Sequence, residues 1–157
     1  MHDLNKILMP TDFSEASAAA LKHACHLAEA THAEVCVLHI VENDYPLDVR
    51  TELYPSSDEF FQRRDRHARE QLDALLTPAE QERYRVSLVL RHGDPVTEIL
   101  QYLHEHAAVH LVVMATHGRG AVKRFVLGSV ADKMVRLAPC PVLTLRAPAP
   151  SQRATAA

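Results

Sequence analysis

Short apolar, β-branched runs alternate with helical patterns along the whole of this chain, and that alternation points to βαβ units built on a parallel sheet. The runs are Lys6–Met9, ended by Pro10; Val35–Val41; Tyr84–Arg91; His110–Ala115; and Pro141–Leu145. Most are unbroken in their apolar character, as strands covered on both faces must be. Between them, Ser14–His32 carries Ala20, Leu21, Ala24, Leu27 and Ala28 on one helical face, and its alanines predict close packing on a sheet. A second helix opens with Ser56-Ser57-Asp58-Glu59, a capping box, and continues through Phe61, Ala68, Leu72 and Leu75 to Pro78. Its polar face is densely charged and is expected to be solvated. Asp94-Pro95 starts a third helix, striped by Val96, Ile99, Leu100, Leu103 and Ala107. A fourth is expected to be capped by Ser129 and Asp132, with Val130, Met134, Leu137 and Ala138 facing inward. Five strands and four helices are therefore predicted.

A chain of 157 residues, 47% hydrophobic and 24% charged, has room for one domain and no second. At this length roughly 70% of the unfolded surface can be buried, so no structural disulfide or metal is needed. Seventeen basic against twenty acidic residues gives a net charge of −3, which argues against the broad basic field of a nucleic-acid or anionic-membrane binder. No apolar run approaches the ~20 residues of a membrane span, and the opening MHDLNKILMPTD lacks an apolar leader, so a cytoplasmic protein is expected. Cys25, Cys36 and Cys140 form no CxxC pair and read as reduced, buried thiols. His23 and His26 are the only histidines at ligand spacing in a strong helix, without an accompanying acid cluster, so no dedicated metal site is expected. The eleven histidines turn the net charge positive as pH falls through about 6.5. Residues 42–55 form a long connection of the kind that often carries function, and residues 147–157, rich in Pro and Ala, are expected to be a disordered tail beyond a domain of residues 1–146.

Open α/β sheets bind ligands at the carboxyl ends of their strands, near the point where strand order reverses. Two segments qualify. One is Pro10-Thr11-Asp12-Phe13-Ser14 after the first strand; the other runs from Ala115 to Ser129 after the fourth. Of only four glycines, Gly118, Gly120 and Gly128 fall in the second segment, where close backbone approach to an anion would use them. No acid lies between Glu105 and Asp132, while Arg119, Lys123 and Arg124 do, so the local field is positive in a negative protein. Gly128-Ser129 then starts a helix, whose first N–H groups suit a phosphate. Asp12 would suit a ribose hydroxyl or a metal ion carried on phosphates. No GxGxxG follows the first strand, no GxxxxGK[ST] occurs, and no nucleophile has a recognisable His and acid, which disfavours a dehydrogenase, a P-loop hydrolase and a triad hydrolase.

KILMPTDFSEAS, VCVLHIVE and above all VVMATHGRGAVKRFVLGSVADKMVRLAPCPVLTLR resemble the universal stress protein family, across about residues 4–146. The resemblance implies a single-domain α/β fold: an open five-stranded parallel sheet of order 3-2-1-4-5 with helices on both faces, Rossmann-like in the manner of the adenine nucleotide alpha-hydrolases, and usually a homodimer. The nucleotide-binding branch of the family carries G-x2-G-x9-G-[ST]. Gly118 and Gly128-Ser129 match; the first position is Ala115. By position the resemblance implies ATP, with or without Mg2+, as ligand. Asp12 would contact ribose, the Ile40 backbone and Met114 would meet adenine, and Gly118, Gly128, Ser129 and Val130 would contact phosphate. Pro10, Thr11, Arg119 and Gly120 complete the candidate set.

Ala115 leaves two states open. A left-handed backbone there would cost ~1–2 kcal/mol, tenfold or somewhat more in affinity; a β conformation would cost nothing unless the methyl meets the ligand. The last strand, with VLTL, is expected at a sheet edge, where pairing with a second copy through residues 141–146 would cover it. The function expected is a dimeric, adenine-nucleotide-binding stress or regulatory protein. The alternatives are a nucleotide-independent interaction module of the same family and, less in keeping with the sequence, a slow ATPase or phosphoryl-transfer enzyme. The sequence identifies no general base or arginine finger, so no catalytic residue is assigned.

Overall fold

In the computed structural model, which describes residues 4–42, 57–116 and 128–146, the expected alternation is realised with one helix more than the sequence predicts. The elements are β1 (Lys6–Thr11), α1 (Glu15–Thr31), β2 (Glu34–Val41), α2 (Ser57–Asp73), α3 (Pro78–Arg83), β3 (Val86–His92), α4 (Pro95–Glu105), β4 (Leu111–Ala115), α5 (Ser129–Leu137) and β5 (Val142–Leu145). All pairings are parallel and the order is β3-β2-β1-β4-β5, as expected.

Each central strand divides its side chains between two helical layers. Ile7 and Met9 of β1 join Val35, Val37 and Val113 beneath Ala20, Leu21, Ala24 and Ala28 of α1, with Leu72 of α2 in the same cluster. Leu8, Cys36, Leu38 and Val112 face the other way, onto Ile99 and Leu103 of α4 and Met134 of α5. Both faces are covered by helices, which explains why the sequence shows unbroken apolar runs instead of alternation. Small alanines let α1 lie close to the sheet, while the larger side chains come from the strands.

Leu137, expected to face inward, is 56% exposed, and Ala107, expected on the stripe of the third helix, lies beyond α4 and is exposed. Three further expectations are corrected. Pro10 does not end β1; the strand continues to Thr11. Pro10 stands in register with Leu38 of β2, whereas pairing with β4 stops at Leu8↔Val112. A residue without an N–H is therefore carried past the last β4 partner. Pro78 does not merely terminate the second helix. It is the first residue of α3, behind a capping box in which Thr77 and Glu80 bond reciprocally. The Thr77 bonds also hold the Glu80 carboxyl below its ordinary pKa. Thirdly, α5 is not capped by the Ser129 side chain: Gly128 holds the capping position and Ser129 is already helical. By contrast, Asp94 caps α4 ahead of Pro95, as the sequence suggests, and α1 is capped by the Ser14 side chain. Ser56, most of the 42–55 connection and the 147–157 tail lie outside the described residues.

Cys25 and Cys36 are buried and reduced, and Cys140 is half-buried. Burial pushes the Cys25 thiol up to about 11, with Glu80 adding to the shift. A thiol whose folded pKa is raised keeps its proton while the unfolded chain loses it, so stability falls as pH climbs from about 9 to 11. Urea titrations of wild type and Cys25→Ala are expected to show the wild-type advantage shrinking across that window by roughly 2 kcal/mol. A constant difference would contradict the buried, protonated thiol.

Candidate functional site

The strand pairings themselves open a cleft. β1 follows β2 to Thr11↔His39 and β4 follows β5 to Ala115↔Leu145, but β1 and β4 part after Leu8↔Val112. The chain winds outward from β1 through β2 to β3, then returns to β1's other side with β4, so this parting lies at the topological switch point. A cleft of about 800 Å3 occupies it. Pro10, Thr11, Asp12, Ile40, Met114, Ala115, Gly128, Ser129 and Val130 line that one cleft. The remaining candidates, Gly118, Arg119 and Gly120, lie outside the described residues.

The turn between β1 and α1 is held by its own side chains. The Ser14 amide and hydroxyl donate to Asp12 Oδ1 at 3.1 and 2.6 Å, the Phe13 amide donates to Thr11 Oγ1 at 3.1 Å, and Thr11 Oγ1 meets Ser17 Oγ at 3.1 Å. Ser17 Oγ donates in turn to the Ser14 carbonyl at 2.9 Å. Phe13 is left-handed at φ 62, a strained state for an aromatic residue. Its ring lies 4.2 Å, centroid to centroid, from that of His39, whose Nδ1 donates to the Thr11 carbonyl at 2.8 Å. A carbonyl only accepts, so Nδ1 carries the proton.

Across the cleft, the segment after β4 is closed at its base. The Thr116 amide donates to the Leu145 carbonyl at 2.8 Å, and the Gly128 amide donates to the Thr116 carbonyl at 2.7 Å. These bonds set the start of α5 beside the end of β4. Gly128, as cap, has no side chain to bond the first-turn N–H groups of α5, and no side-chain cap bond is made there among the described residues.

Ala115 is the last residue of β4, in register with Leu145, and it is absent from the positive-φ residues. Of its two open states, the extended one is realised. Its alternation with Met114 sends the methyl toward the α1 layer, where it packs against that cluster, while Met114 belongs to the opposite one.

Sequence reasoning missed one wall. Arg64, His67, Ala68 and Gln71 of α2 also line the cleft. They fall at i, i+3, i+4 and i+7, one helical face, centred on the buried Ala68. Ala68 was expected on the apolar stripe, but Arg64, His67 and Gln71 were expected to meet solvent, because an Arg/His/Gln stripe looks the same beside water and beside a polar cleft. The Arg64 guanidinium also lies 5.7 Å from the Phe60 ring. His39, Glu42 and Thr116 were likewise unanticipated at the cleft.

The cleft is thus apolar where Ile40, Met114 and Ile99 cluster, and polar at Asp12, Thr11, Thr116 and Ser129. The model of the universal stress protein family matches residues 4–146. The chain belongs to the universal stress protein family. A universal stress protein of Methanocaldococcus jannaschii is 31% identical over 143 residues, covering 91% of this chain and 82% of its own length. The Bacillus subtilis universal stress protein YxiE is 32% identical over 147 residues, 90% of this chain and 99% of its own. Among solved structures, the universal stress protein UspA from Lactobacillus plantarum aligns with a TM-score of 0.73 at 24% identity, covering 93% of this chain and all of its own, a likeness of fold.

An unstrained Ala115 makes a specific forecast for this universal stress protein. Ala115→Gly is expected to lower stability by about 0.5–1 kcal/mol in urea denaturation, the ordinary penalty of glycine in a strand. A gain would reveal a strained alanine.

Proposed function

We propose that this universal stress protein binds ATP or a related adenine nucleotide in the cleft between β1 and β4 and works as a homodimer. One observation carries the nucleotide reading: a carboxylate, an apolar slot and a glycine-capped helix start meet in a single cleft, the three chemistries that an adenine nucleotide presents in complement. Ile40 and Met114 offer apolar surface to the base. The Asp12 carboxylate accepts from ribose hydroxyls, and its bonds from Ser14 fix it beforehand. The N–H groups following Gly128 donate to phosphate, aided by the helix dipole. Gly118, Arg119 and Gly120 are proposed to complete the phosphate contacts from the intervening segment. A Mg2+ ion accompanying ATP would ride on the phosphates, keeping most of its waters. Two other proteins of this fold, each 18% identical with a TM-score of 0.58, are a universal stress protein solved in complex with cAMP and an Arabidopsis thaliana family protein solved with AMP bound.

Nucleotide-stripped protein titrated with ATP and Mg2+ by calorimetry is expected to show saturable binding. Asp12→Ala should weaken it about tenfold or more, the worth of a charged hydrogen bond, and Gly118→Asp should abolish it. No heat and no thermal stabilisation at millimolar ATP would replace this reading with that of a nucleotide-independent dimeric module.

The dimer reading rests on the other edge of the fold. β5 is an edge strand, and the exposed large apolar side chains among the described residues are Val135 and Leu137 of α5 and Leu143 of β5. An edge with unpaired backbone groups and apolar neighbours is covered most economically by a second copy across a two-fold axis. Light scattering is expected to give twice the 17.5 kDa of the chain, and Leu143→Asp to shift it toward one chain. A wild type of single-chain mass at micromolar concentration would overturn the dimer.

A further inference from the structure

Phe13 is the one left-handed residue in the β1–α1 turn, and strain of this kind persists only where the surroundings over-determine it. His39 supplies two of those determinants from a neighbouring strand. Its ring packs on Phe13 at 4.2 Å, tilted by 37°, and its Nδ1 donates to the Thr11 carbonyl at 2.8 Å. Thr11 and His39 are register partners at the carboxyl ends of β1 and β2, so the contact joins the turn to the middle of the sheet. Asp12 lies between the two residues that His39 touches. Its Oδ1 is held from the far side by Ser14, so the carboxylate is fixed by Ser14 ahead of it and through the flanking backbone by His39.

We propose that His39 is a positioning residue of the cleft: by packing on Phe13 and bonding the Thr11 carbonyl it fixes the backbone on either side of Asp12, and so sets where that carboxylate meets the hydroxyls of a bound ribose. This rests on the adenine-nucleotide reading above. The inference extends it by assigning the discrimination between ribose and hydroxyl-free sugars to a residue that does its work through the turn.

The two contacts can be separated by substitution. In His39→Asn the amide nitrogen takes the place of Nδ1 and retains a donor for Thr11, whereas His39→Phe retains a ring for Phe13 and loses the donor. Binding of ATP and of 2′,3′-dideoxy-ATP is compared for both variants and wild type. Wild type is expected to prefer ATP about tenfold or more, since the dideoxy analogue lacks the ribose hydroxyls that would donate to the Asp12 carboxylate. His39→Phe should reduce that preference about fivefold by weakening ATP alone, and His39→Asn should keep most of it. A preference unchanged in His39→Phe overturns the proposal, as does equal weakening of both nucleotides, the mark of direct contact or general damage. Amide exchange at Ser14 gives a readout without ligand. Its protection, arising from the bond to Asp12, should fall in His39→Phe and persist in His39→Asn. A wild type that binds neither nucleotide defeats the nucleotide reading, and the Ser14 amide then decides the positioning role by itself: unchanged protection in His39→Phe refutes it.

Discussion

The structure depends on β1 being buried on both faces and paired on both edges. Ile7, Leu8 and Met9 are wholly inaccessible, and the strand has β2 on one side and β4 on the other. Such a strand can contribute chemistry only from its end. Its carboxyl end is also where the two halves of the sheet diverge, because the crossovers before and after β3 run to opposite sides of β1. Pro10 suits that divergence, since its missing N–H removes a ladder donor beyond the last β4 partner and costs nothing on a strand already parting from its neighbour. The cleft is therefore a consequence of topology, furnished by the carboxyl ends of β1, β2 and β4 and walled by the helices that cover them, α2 among them.

A polar turn placed at the end of an apolar strand has to satisfy its own backbone. Between Thr11 and Ser17 the side chains of four residues do this, through short-range bonds of 2.6 to 3.2 Å. Organisation of this kind reduces the entropy that would otherwise be lost when a ligand fixes the Asp12 carboxylate. Rigid placement on one wall is matched on the other, where Thr116 links Leu145 and Gly128 and so brings the start of α5 to the end of β4.

Much of this was legible in the chain. Strand positions followed from apolar runs, and the start of α4 followed from Asp94-Pro95, because capping is a local interaction encoded within four residues. The order of the strands came from the resemblance and not from periodicity, which carries no information on neighbours. Pro78 was misread because proline both ends helices and begins them; the Thr77–Glu80 pair around it was the deciding signal. The α2 wall and His39 were invisible for a different reason. Whether Arg64 or His67 faces water or a cleft depends on which helix covers which strand end, a fact of tertiary packing that no window of sequence contains.

Ala115 shows how a departure from a family pattern should be weighed. A glycine in such a pattern is irreplaceable only where the backbone is left-handed or where a Cβ would collide. At position 115 the backbone is extended and paired with Leu145, and the β alternation turns the methyl toward the α1 layer. Left-handed strain of ~1–2 kcal/mol therefore does not enter. Ala115 nevertheless lines the cleft beside Thr116 and Met114, so any effect of its methyl on a ligand is one of fit. Discrimination among ligands by a single methyl amounts to about 1–3 kcal/mol at most. The departure at position 115 therefore leaves β4 undisturbed and would weigh on ligand choice by no more than that amount.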